Sequence, residues 1–74
     1  MSIHVEGTVE RKMLGMGAWA LVSSDGKTYE LHKAPKDLHK SGLKVKVEGE
    51  IRNDVMSTAM IGPILEVKNF EVLG

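Results

Sequence analysis

Residues 18–32 read AWALVSSDGKTYELH, and their reading decides the fold. Trp19 and Leu21 fall on one face of the first half, and Tyr29 and Leu31 fall on one face of the second. That period of two is the mark of a strand with one dry face and one wet face. Between the halves stands Asp25-Gly26, where glycine supplies the positive φ that a tight turn requires. The stretch therefore predicts two antiparallel strands joined as a hairpin.

The alternation continues on both sides. Upstream, SIHVEGTVERKM sets Ile3, Val5, Gly7 and Val9 against His4, Glu6, Thr8 and Glu10, and Gly7 suits a bend in a curled sheet. Downstream, KAPKDLHKSG changes character: Pro35 can open a helix, residues 36–41 can form a turn or two, and Gly42 can end it. LKVKVEGEIR then resumes the period of two, with Leu43, Val45, Val47, Gly49 and Ile51 facing inward. The last strand, ILEVKNFEVL, turns Leu65 and Val67 inward and then shifts to Phe70 and Val72, which predicts a bulge near Lys68-Asn69.

Three strands, a short helix and two strands in 74 residues make one all-β domain, residues 1–74. On GTVE, AWALVSSDGKTYEL, LKVKVEGEI and the last strand, the chain resembles the compact single-domain bacterial OB-fold proteins. The resemblance implies a five-stranded OB-fold-like barrel with a short helix between strands 3 and 4. The nucleic-acid binders of that fold display rings on strands two and three. Here the parity turns Trp19 and Tyr29 inward and leaves Ala18, Ala20, Val22, Thr28, Glu30 and His32 on the other face.

Ten Lys and Arg balance ten Asp and Glu, so no global basic excess drives binding to nucleic acid. There is no cysteine, so neither disulfides nor a thiolate metal cluster is expected. His4, His32 and His39 share no ligand spacing, and no metal or cofactor is expected. No serine stands in a catalytic motif, and MLGMG lacks the Gly-Lys-Ser/Thr of a phosphate-binding loop. The expectation is that the protein is not an enzyme. Without a leader pattern or an 18-residue apolar run, a cytoplasmic location and no membrane association are expected.

Two apolar connections remain to be explained: Met13, Leu14 and Met16 after the first strand, and Met56, Met60 and Ile61 after the fourth. Expected at one end of the barrel, they point to a non-catalytic interaction module that binds another protein or its own copy through a Met-rich surface. The alternative is weak single-stranded nucleic-acid binding, with Arg11, Lys12 and Arg52 contacting phosphates.

Overall fold

The computed structural model describes residues 2–12, 18–54 and 61–74. Five strands, β1 (Ser2–Lys12), β2 (Ala18–Ser23), β3 (Thr28–His32), β4 (Lys44–Ile51) and β5 (Ile64–Val72), form one sheet in the hydrogen-bonded order β1-β2-β3-β5-β4. The sheet is mixed. β3 runs parallel to β5, and the β1–β2, β2–β3, β4–β5 and β1–β4 pairings are antiparallel.

β1 serves two partners. Residues from Ser2 to Thr8 are in register with β4, and residues from Gly7 to Lys12 with β2. Gly7 sits where the two ladders overlap, and a Cβ there would collide with the Val22 carbonyl. The same demand operates at Gly49, where a Cβ would collide with the Glu66 carbonyl of β5.

The hairpin forms as its sequence predicts. Gly26 has φ +93°, and its N–H donates to the Ser23 carbonyl at 3.0 Å. The Asp25 carboxylate accepts from the Lys27 N–H at 3.1 Å. That bond holds the Asp25 carboxyl below its ordinary pKa. The predicted shift of phase in β5 is also present: Val67 is opposite Gly49 and Asn69 is opposite Glu48, so Lys68 is the extra residue.

The inward set is Val5, Val9, Leu21, Leu31, Val45, Val47, Leu65 and Val67, joined by Leu38 from the β3–β4 connector. Val47 and Leu65 are fully buried. Trp19 and Tyr29, expected in the core, are half-buried at its margin.

The β1–β4 pairing closes the mixed five-stranded sheet on itself, so what is corrected in the expected OB-fold-like barrel is its short helix and, with it, the OB-fold assignment. Among the described residues the only helical element is a 3-10 turn, Lys36–Leu38. The Leu38 N–H donates to the Pro35 carbonyl and the His39 N–H to the Lys36 carbonyl, both at 2.9 Å. His39 then leaves helical geometry at φ −83°, ψ 55°. A segment this short cannot offset the cost of helix nucleation, so the burial of Leu38 decides its path. A five-stranded mixed sheet alone does not establish the expected likeness to the compact bacterial OB-fold proteins, and that likeness is withdrawn.

Gly49→Ala would force β4 and β5 apart, and overpacking of this kind costs about 1–3 kcal/mol. For a domain of this size that lowers the melting temperature by roughly 10 °C. Thermal denaturation followed by circular dichroism measures it, and an unchanged midpoint would contradict the close approach.

Candidate functional site

Of the residues expected to form an apolar surface, Met13, Leu14, Met16, Met56 and Met60 lie outside the described residues, and Ile61 is half-buried. Their anchor points are well defined. Because β1 and β4 are antiparallel, with Ser2 opposite Glu50, the chain leaves β1 and β4 at opposite ends of that pair. The expectation that both connections leave from one end is not met.

Arg11, Lys12 and Arg52, expected as phosphate contacts, are not equivalent. Arg52 is committed to two carboxylates. Its Nε and Nη2 form a fork to Asp54 at 2.9 and 2.7 Å, and its Nη1 donates to Glu66 Oε2 at 2.6 Å. The hydrogen bonds to Asp54 raise the guanidinium pKa further, and they hold the Asp54 carboxyl down at about 2. A bidentate arginine with a third bond to a buried acid has little left to offer a phosphate.

Glu66 explains why Arg52 is held. It alternates outward from Leu65 and Val67, yet it is only 3% exposed. A buried carboxylate requires charged or hydrogen-bonding partners. Lys68 Nζ supplies one at 2.7 Å and Arg52 the other. The hydrogen bond from Lys68 lowers the Glu66 pKa. This cluster joins the end of β4 to β5 and carries structural load.

The other end of the sheet is different. Lys12 Nζ is paired with Glu10 at 3.2 Å, but Arg11 is exposed and its guanidinium carbon lies 5.7 Å from the centroid of the Trp19 ring. Trp19 is opposite Arg11 in the β1–β2 ladder, so the two side chains share a face. His39 stacks on the same indole, with ring centroids 5.1 Å apart and planes at 6°. His39 is exposed, and Trp19 is half-buried.

The β3–β4 connector brings His39 there. The Gly42 N–H donates to the Val9 carbonyl at 2.7 Å, and the Val9 N–H donates to the Leu43 carbonyl at 2.8 Å. Gly42 accepts this path with φ +89°. The connector also brings charge. From Lys33 to Lys46 the chain holds five lysines against a single acid, Asp37, while the rest holds five basic and nine acidic residues. Lys33, Lys36, Lys40 and Lys44 are exposed, and among the described residues none of them has an ion pair. The molecule is neutral in sum, and its lysine excess is local to this stretch of the chain.

Sequence reasoning missed Trp19, His39, Lys36 and Lys40 as a group. The lysine count over residues 33–46 was the available signal; the stack joins positions 20 residues apart and had none. His4 and His32 have separate partners: His4 Nε2 is 3.5 Å from Glu48, and His32 is in register with Glu66. Among the described residues no group of three potential ligands is arranged for a metal ion, and no helix is long and apolar enough to cross a membrane. The chain matches no protein-family model, no curated protein and no solved structure.

Both Asp54 and Glu66 have depressed carboxyl pKa values. Their contribution to stability is therefore complete above the ordinary carboxylate range of about 4, and is lost as the pH falls through the folded values. Glu66→Gln should lower the urea midpoint at neutral pH and make the decline between about pH 5 and about pH 2 shallower. Urea denaturation across that range reads both effects. An acid decline as steep as that of the unmodified protein would contradict the account.

Proposed function

We propose that this protein is a non-catalytic binding module that takes single-stranded nucleic acid at the basic end of the sheet. The observation that carries the proposal is a half-buried indole flanked by Arg11 and by His39, whose connector carries the exposed Lys36 and Lys40 with no ion pairs among the described residues.

Three chemical features support it. Phosphates need cations that are not already neutralised, which Arg11, Lys36 and Lys40 provide and Arg52 does not. Bases need a flat ring whose edges and face are not sunk in the core, and Trp19 lies at the core margin. Such a ring can be used only by a base released from a duplex stack, which favours a single strand.

Magnitudes decide whether the existing Trp19–His39 stack blocks this use. An aromatic pair contributes about 0.5–1.5 kcal/mol, and stacking of a base on an aromatic side chain about 1–3 kcal/mol. A base therefore competes with the imidazole on favourable terms. Each phosphate neutralised adds about −0.7 to the slope of log affinity against log salt for a single strand. Three cations predict a slope of about −2.

A titration of Trp19 fluorescence with a short oligothymidylate at about 50 and about 200 mM salt tests this. The expected result is saturable quenching that weakens roughly 20-fold over that range. Replacing Lys36 and Lys40 together with Ala should flatten the slope by about 1 or slightly more. No binding at low salt would refute the proposal.

A further inference from the structure

The imidazole of His39 has no hydrogen bond or ion pair among the described residues; its one described contact is the stack on Trp19. The connector that carries it is fixed by other groups. Leu38 on one side is fully buried, and Gly42 on the other is bonded to Val9. The His39 backbone N–H is itself bonded to Lys36. The side chain can therefore swing off the indole while the connector stays in place, and exposed side chains change rotamer within nanoseconds.

We infer that His39 is a displaceable cover, occupying in the free protein the place on Trp19 that a base of the bound strand takes. The inference rests on the nucleic-acid reading above and adds its regulation. The imidazole is flat, similar in width to a pyrimidine, and nearly parallel to the indole at 6°, so it imitates the stacked base. Its own connector carries Lys36, Asp37 and Lys40, Arg11 of β1 approaches the indole on which the imidazole stacks, and β2 holds no charged residue. With Arg11, Lys36 and Lys40 already present to hold phosphate, the ring of His39 is not needed as a further contact. Its effect is to lower the fraction of molecules with an open Trp19, and apparent affinity falls by that fraction.

Removal of the ring should therefore tighten binding. A cover closed about 70–90% of the time predicts a gain of about three- to tenfold for His39→Ala. His39→Gln, which keeps the length and loses the ring, should gain similarly, and His39→Phe, which keeps a stacking ring, should bind like the unmodified protein. The measurement is fluorescence anisotropy of a labelled oligothymidylate titrated with each protein, with a melting curve to confirm that each is folded. Tighter binding by both ring-deleted variants, with His39→Phe unchanged, is the expected result. Equal or weaker binding by a folded ring-deleted variant, while the unmodified protein binds, would overturn the cover and leave the binding site standing. Absence of binding by every protein at low salt would overturn both.

Discussion

The arrangement follows from the double duty of β1. The strand is in register with β4 up to Thr8 and with β2 from Gly7 onward. Past Thr8 it has left β4, and the backbone of Val9 needs another partner on that side. Buried backbone groups are almost always paired, and here Gly42 and Leu43 provide the bonds. This draws the β3–β4 connector across the end of the sheet. Leu38 then fills the end of the core, and His39 lands on Trp19. The connector that carries His39 also carries Lys36 and Lys40, both exposed. Gly7 makes the whole sequence of contacts feasible, since any side chain at that crossing would meet the Val22 carbonyl.

Charge is divided between two ends with different tasks. Around β4 and β5, Arg52, Asp54, Glu66 and Lys68 satisfy one another, and the outward but buried Glu66 sets the terms of that cluster. Around the connector, the positive groups are solvated and have no ion pairs among the described residues. The same residue types thus stabilise the sheet in one place and remain open to an anion in another. The formal net charge of zero conceals this division.

Much of the sheet was legible in the sequence because period-two alternation reports directly which residues face inward. The Asp25-Gly26 hairpin and the change of phase at Lys68 follow from that signal. The turn expected after Pro35 forms, with Leu38 buried and Gly42 at positive φ, but it stops as a 3-10 turn at Leu38 because the bonding needs of Val9 take over the path beyond it. The OB-fold expectation rested on the strand order, the Asp25-Gly26 hairpin and the signals from Pro35 to Gly42, and of these the last is realised only as a 3-10 turn. Glu66 was unreadable because alternation assigns it to water. Arg52 looked available for phosphate because Glu66, its distant partner, lies 14 residues away. The local lysine excess was countable, yet the overall balance of ten basic and ten acidic residues hid it.

The central claim is that ligand meets this chain at the basic end, on Trp19 and Arg11. The most direct test is a map of amide and indole N–H chemical shifts as oligothymidylate is added. The account predicts the largest changes at the Trp19 indole, at Arg11 and along residues 39–42, with little change at Arg52 and Glu66. Changes centred on Arg52, Asp54 and Glu66, with the Trp19 indole unmoved, would contradict it.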